Sequence, residues 1–376
     1  PDTQQVALPL REKAAKQHYS IGDVQLFLKL VLEGGCGLRT VSRVLSVIGE
    51  FLGLPTDVAS WYSGRLWLMR VGYYKLTAPK IQAEDWIWIV DFSIQLGKEK
   101  CLVILGIRQS DMPPVGQALR HEDMEAITVE PVKQANGDIV WKKLEEAVGK
   151  TGVPRAIVSD RGTDLKAGIE QFCQTHQKTA MLYDIKHKIA LMLKRYLEKD
   201  ERWSQFVDYA HRLKKQLQQT DYGYLAPPAL RAKARYMNLE GRIAWAQKAL
   251  TLLDSATEEK ELLEEKLGEL ENHQQPVEKW AEMLKVATTT EYFVSTKALS
   301  PDLPVELALH FKELPRLEFP ETRRFRHELI KFIRTQAFQC RPGERLPGSS
   351  EVLESVFGKQ KKGVTRPPRR LSNQWY

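Results

Sequence analysis

Apolar residues recur at helical spacing over the first part of the chain. Val24, Phe27, Leu28, Val31 and Leu32 mark one helix face, and Gly34-Gly35 breaks it. A second face, Val41, Val44, Leu45 and Ile48, predicts a helix over 38–52 that stops at Gly53-Leu54-Pro55. A third helix is expected to begin at Thr56 or Asp57, both good N-caps, and to continue through Trp61 and Leu66. Short helices joined by glycine-bearing turns suggest a helix-turn-helix, although any small three-helix bundle gives the same pattern.

The period changes near Ala83. Residues 85–91 (DWIWIVD) are aromatic and β-branched, apolar on both faces and closed by an acid, which reads as a buried central strand ending at a polar site. Residues 100–108 (KCLVILGIR) form a second strand, joined to the first by a short turn through Gly97, and 126–132 a third. An amphipathic helix over 138–148 leads to a short apolar strand, 156–160 (AIVSD), again closed by an acid. Arg161-Gly162-Thr163-Asp164 then turns into another helix, with Thr163 or Asp164 as its cap. Strand, strand, strand, helix, strand, helix is the order of a mixed α/β sheet with helices on its faces.

From about residue 186 to 334 the pattern is almost wholly helical. Residues 258–272 (EEKELLEEKLGELEN) carry a Leu263, Leu267, Leu270 stripe and a glutamate face. This predicts a long helical hairpin or short coiled coil rather than a cluster of catalytic acids. Pro347-Gly348 stops what precedes it, Ser349 or Ser350 caps a new helix, and the final basic, proline-broken stretch 361–370 (KKGVTRPPRR) is expected to be extended.

Composition narrows the class. The chain has 376 residues, 43% of them hydrophobic, which is enough for two or three domains and excludes a disordered protein. The formal charge is +8 with a pI of about 9.1, and from Arg316 onward 14 Lys and Arg face 6 acids, a surplus equal to that of the whole chain. Such a basic segment favours a polyanionic partner. Four scattered cysteines (36, 101, 173, 340) form no CxxC pair, so neither a zinc ribbon nor a disulfide framework is expected. No apolar run reaches membrane-spanning length and no secretory signal is visible, so a cytoplasmic protein is expected. The chain begins at Pro1, which leaves a preceding leader open.

Asp91 and Asp160 each close a hydrophobic strand, and strand ends of such a sheet converge. Two carboxylates there can share Mg²⁺ or Mn²⁺, which prefer oxygen ligands, if a third acid comes from a neighbouring helix; Glu354, in the first turns of a capped helix, qualifies. Taken singly, an Asp at a strand end is more often a turn former or a cap. The triplet in this order of elements resembles the DDE transposases of the RNase H-like superfamily. The resemblance is carried by Trp88-Ile89-Val90-Asp91, by residues 157–164 (IVSDRGTD) and by residues 349–359 (SSEVLESVFGK).

That resemblance implies an RNase H-like mixed sheet interrupted by a large all-α insertion and preceded by a helical DNA-binding domain. The divisions expected are 1–82 (DNA binding), 83–198 (catalytic core, first part), 199–340 (insertion) and 341–376 (last helix and basic tail). It aligns the catalytic Glu with Glu354 rather than Glu351, which an acid's preference for the first helical turn already explains. It implies two Mg²⁺ or Mn²⁺ ions held by Asp91, Asp160 and Glu354, cleavage at transposon ends to free a 3′-OH, and attack of that hydroxyl on target DNA. In Tyr183-Asp184-Ile185-Lys186-His187 it further matches the Cys-or-Asp-x-x-His motif of insertion-bearing groups, with His187 at the scissile phosphate or attacking water and Asp184 fixing its tautomer in the DNA-contacting region. Lys359, Lys361 and Lys362 follow the Glu; Lys361 is seven residues after Glu354 and so on nearly the same helix face, and Arg323 and Arg324 extend the basic track. Trp203, Trp245 and Trp280 are candidates for stacking on a flipped base, or core residues. Implied partners are transposon ends, target DNA and further copies of the chain, as a homodimer or higher oligomer, in a bacterial, nucleoid-associated setting and with no membrane. The rival readings are a related nuclease that cuts without joining, and a domesticated DNA-binding protein without catalysis.

Overall fold

A computed structural model describes residues 12–13, 15–53, 57–96, 99–133, 135–229, 236, 239–255 and 260–353, with only the backbone over 93–96. The chain forms two compact units, one of residues 81–357 and one of 1–80 with 358–376.

In the smaller unit, α1 (Ile21–Leu32), α2 (Leu38–Phe51) and α3 (Trp61–Thr77) pack around Phe27, Val41, Ala59 and Trp67. A capping box starts α1: Ser20 Oγ accepts from the Asp23 amide at 3.1 Å while the Asp23 carboxylate accepts from the Ser20 amide at 3.0 Å. The third helix starts later than its sequence suggests. Ser60, not Asp57, is its N-cap, accepting from the Ser63 amide at 3.2 Å, and Asp57 instead faces His18 at 2.5 Å. Thr56 lies outside the described residues.

The larger unit is built on a five-stranded sheet in the order β3-β2-β1-β4-β5, with β1 (Trp86–Leu96), β2 (Glu99–Arg108), β3 (Glu125–Val132), β4 (Ala156–Ser159) and β5 (Ala180–Tyr183). The first three strands pair antiparallel, whereas β4 and β5 run parallel to β1. This is the RNase H-like arrangement. Helices α4 (Gly137–Thr151) and α5 (Thr163–Thr175) make the crossovers and cover one face, where Trp88, Val90 and Ile104 meet Val140, Leu144, Ile169 and Phe172. The alternate residues Ile87, Ile89, Val103 and Val158 pack on the other face beneath α6 (Ile185–Leu197) and the helices that follow. Alternation along each strand therefore fills two apolar layers, which is why the strands read as unbroken hydrophobic runs.

Among the described residues, α7 (Glu201–Leu217), α8 (Glu240–Ser255), α9 (Lys260–Leu267), α10 (Gln274–Lys297), α11 (Leu303–Glu313) and α12 (Pro320–Ala337) follow. Leu263, Leu267 and Leu270 are buried as their spacing implies, but they form no long hairpin: α9 stops at Leu267 and Gly268–His273 is a 3-10 turn. Trp203 and Trp280 are core residues, their rings 4.9 Å apart and perpendicular, and Trp245 donates Nε1 to the Leu225 carbonyl at 2.9 Å. None of the three stands free on a surface to stack on a base.

Three devices bind this helical region to the sheet. Gln336 accepts from the Tyr183 amide at 2.8 Å, and Gln339 both accepts from and donates to the Met181 backbone, so α12 completes the hydrogen bonding of the edge strand β5. Arg155 and Glu344, both buried, form a two-pronged ion pair at 2.6 and 2.7 Å. The returning chain also bridges Leu299 to Leu346 and brings Gly348 against α10, where a Cβ would lie 2.5 Å from Val294 Cγ1. That approach needs a glycine.

Candidate active site at the β1–β4 strand ends

The parallel register sets the site. Ile89 pairs with Val158, and two residues further, on the same face of each strand, stand Asp91 and Asp160. Asp91 does not end its strand as the sequence suggests. β1 runs on to Leu96 because β2 continues beside it, with Asp91 opposite Val103, while β4 stops at Ser159. Asp91 is thus exposed to the gap left where β4 ends. Asp160 sits in that gap at a tight turn: its carboxylate accepts from the Gly162 amide at 2.8 Å, and Arg161 between them has φ 55°, a strained conformation for a non-glycine residue. The Arg161 guanidinium lies over the Tyr183 ring, 5.3 Å from its centre, and donates to the Met181 carbonyl at 3.3 Å, which holds the turn.

Burial and then the Asp160 charge push the Asp91 carboxyl up to about 7, with Asp184 adding to the rise and the Phe92 amide and His187 opposing it. A poorly solvated pair of repelling carboxylates is an all-oxygen donor set that a hard divalent cation would neutralise, so these residues fit Mg²⁺ or Mn²⁺. Among the described residues no group of three His, Cys, Asp or Glu side chains is placed to hold a metal. Glu354, Lys359, Lys361 and Lys362 lie outside the described residues.

Asp184 corrects the sequence reading. It is 1% exposed and is not a DNA contact. At the end of β5 it caps α6, one oxygen accepting from the His187 amide at 2.9 Å. The other oxygen accepts from the Ser350 amide at 2.5 Å and from the Ser350 hydroxyl. Burial pushes the Asp184 carboxyl up, but the hydrogen bonds from His187 and Ser350, with the His187 charge, outweigh it and hold the group below its ordinary 3.8. Ile185 donates its amide to the Gly348 carbonyl at 2.9 Å, so the segment entering the last helix is pinned twice beside the strand ends. Ser349 rather than Ser350 turns its oxygen to the chain, accepting from the Glu351 amide at 3.2 Å. His187 places Nδ1 3.5 Å from Asp184 and is half-buried, near enough for its charge to act on Asp91.

The structure therefore gathers Asp91, Asp160, Asp184 and His187. Glu351 is exposed and paired with Lys186 at 2.9 Å. Arg323 and Arg324 sit on the first turns of α12, and Arg323 donates to the carbonyls of Leu317 and Glu318 at 2.8 and 2.9 Å. Ser350 and Glu291 are the residues that pattern reading missed. Burial first, then the charges of Glu240, Glu351 and Asp184 against the opposing Lys186, push the Glu291 carboxyl up to about 7. Nothing in the local sequence of α10 marks it, since its charged neighbours come from three other segments: the start of α6, the start of α8 and the segment around Glu351.

No protein-family model and no curated protein sequence matches the chain. Among solved structures it is similar to the HTLV-2 integrase catalytic core domain in complex with magnesium, in its dimeric form (16% identity over 32% of this chain and 76% of that one, TM-score 0.20). It is also similar to the Drosophila P element transposase strand transfer complex (12% identity, 90% of each chain, TM-score 0.35). A third similarity is to the simian T-cell lymphotropic virus intasome in complex with PP2A regulatory subunit B56 gamma (10% identity, 58% of this chain and 65% of that one, TM-score 0.21). The fold assignment rests on the strand order and register given above. No helix among the described residues is long and apolar enough to cross a membrane.

Proposed function

We propose that the protein is a DDE transposase that cuts DNA at transposon ends and joins the freed 3′-OH to target DNA. The observation that carries this reading is the register of β1 and β4, which sets Asp91 and Asp160 side by side where β4 ends. Asp91, Asp160 and Glu354 would hold two Mg²⁺ or Mn²⁺ ions. When bound, such ions supply activation of the attacking oxygen and neutralisation of charge at the leaving oxygen. The protein's own groups do the rest. Asp91 must be ionised to act, and its raised pKa means that it sheds its proton as cation replaces it. His187, on the first turn of α6, faces the scissile phosphate or orients the attacking water. Asp184 positions His187 and fixes the segment around Ser350, and Glu354 follows Ser349 by five residues in the sequence. Lys359, Lys361, Lys362, Arg323 and Arg324 neutralise backbone phosphates, and the enzyme works as a dimer or larger assembly because two ends must be held together.

The test uses a plasmid carrying the DNA that flanks the coding sequence. With Mg²⁺ or Mn²⁺ the wild type should nick it, and Asp91→Asn and Asp160→Asn should each lose at least about 100-fold in rate while binding the same DNA within about threefold. Strand-transfer products from pre-cleaved ends distinguish a transposase from a nuclease that only cuts. Equal loss of folding and of DNA binding in both variants would remove the catalytic role.

A further inference from the structure

One face of α2 has no partner among the described residues. At about 100° per residue, Val47, Phe51, Val44 and Ile48 fall on one contiguous stripe, beside the face that packs on α1 and α3 through Val41 and Leu45. These four side chains are 63%, 87%, 36% and 45% exposed. A stripe of this kind on a surface helix is a binding face. The charges beside it identify what binds. Arg43 and Glu50 lie together on the flank next to Val47, both exposed, and neither side chain has a hydrogen-bonding or ionic partner among the described residues.

A twofold axis that sets two copies of a helix antiparallel brings the same flank of each together. With the axis between residues 46 and 47, Arg43 of one copy meets Glu50 of the other, twice over, while the two Val47 side chains meet at the centre. A parallel pair would instead bring opposite flanks together and leave Arg43 and Glu50 unmatched. The stripe is therefore self-complementary in charge as well as apolar.

We infer that the exposed face of α2 is a self-association surface, on which a second copy of this chain docks with its own α2 antiparallel. The inference is independent of the proposed catalytic activity. A helix of 14 residues is about 21 Å long, so the seam is shorter than a permanent interface needs and the dimer forms reversibly.

The experiment is sedimentation velocity of the full chain without DNA across a concentration series. Val47→Glu and Phe51→Glu, at positions outside the core, should each weaken dimerisation at least tenfold with unchanged circular dichroism. Arg43→Glu alone should weaken it about threefold or more, and adding Glu50→Arg to the same chain should restore it, because the swapped charges meet again across the axis. A wild type that stays monomeric at every concentration overturns the inference, as it would if this face is covered within its own chain. A dimer indifferent to Val47→Glu, or a charge swap that fails to restore association, overturns it equally.

Discussion

Replacing Asp184 by asparagine tests the joint between the strand ends and the last helix. Each oxygen of the buried carboxylate is an acceptor, one for the His187 amide and the other for the amide and hydroxyl of Ser350. A carboxamide has one acceptor oxygen. Whichever way the new side chain turned, its NH₂ would face a backbone N–H, leaving a buried donor unpaired and removing the charge from the remaining bonds. A hydrogen bond to a charged group contributes about 1.5–3 kcal/mol, and a stranded buried donor costs about 1–3 kcal/mol, so Asp184→Asn should destabilise the larger unit by about 2–4 kcal/mol. With a urea dependence of about 2–3 kcal/mol per molar, the unfolding midpoint falls by roughly 1 M. Ser350→Ala removes one donor and strands none, so it should lose less, about 1–2 kcal/mol, and the double variant should lose less than the sum of the two. The acid limb gives a second reading. The Asp184 carboxyl is depressed below 3.8 in the fold, so its stabilisation is fully present above that pH and is lost as pH falls towards the folded value. Asp184→Asn should flatten that limb. A urea midpoint for Asp184→Asn within about 0.2 M of wild type, judged against the ~1 M expected from the same slope, would refute the role assigned to this carboxylate.

Other outcomes follow from the same geometry. Glu344→Ala strands the buried Arg155 guanidinium and should lower stability by about 3–5 kcal/mol in thermal unfolding, whereas Arg155→Met with Glu344→Leu should recover most of it. Glu291 titrates near 7 in the fold against 4.5 ordinarily, so the fold favours its neutral form: stability is highest at low pH and is lost as pH rises through 7. Glu291→Gln should therefore gain about 1–3 kcal/mol at pH 8 relative to wild type and little at pH 5; Asp91 titrates in the same window with the same sign, so part of the slope remains. A flat difference between pH 5 and 8 would count against the burial assigned to Glu291.

Much of the sheet could be read from the chain because its strands are apolar on both faces and two of the apolar runs are closed by an acid; the parallel register of β1 and β4 then puts Asp91 and Asp160 together. The length of β1 could not be read, because it depends on β2 running on beside it after β4 has stopped. Ser350 looked like a helix cap because serine before an apolar run commonly is one; its actual acceptor is 166 residues away and no local pattern encodes it. Gln336 and Gln339 belong to the same class: one at the end of α12 and one just beyond it, they finish the edge of a strand more than 150 residues away. The tryptophans failed as surface candidates because Trp203 on α7 and Trp280 on α10 are buried against each other, a pairing that no local pattern encodes.

The most direct test of the metal triad is Mn²⁺-dependent nicking of the flanking-DNA plasmid by Glu354→Gln and Glu351→Gln beside wild type, with Mn²⁺ binding followed by electron paramagnetic resonance. The triad predicts that Glu354→Gln loses at least about 100-fold in nicking and weakens Mn²⁺ binding, while Glu351→Gln, which breaks only an exposed pair with Lys186, stays within about threefold of wild type. Full activity and unchanged Mn²⁺ affinity in Glu354→Gln would contradict it.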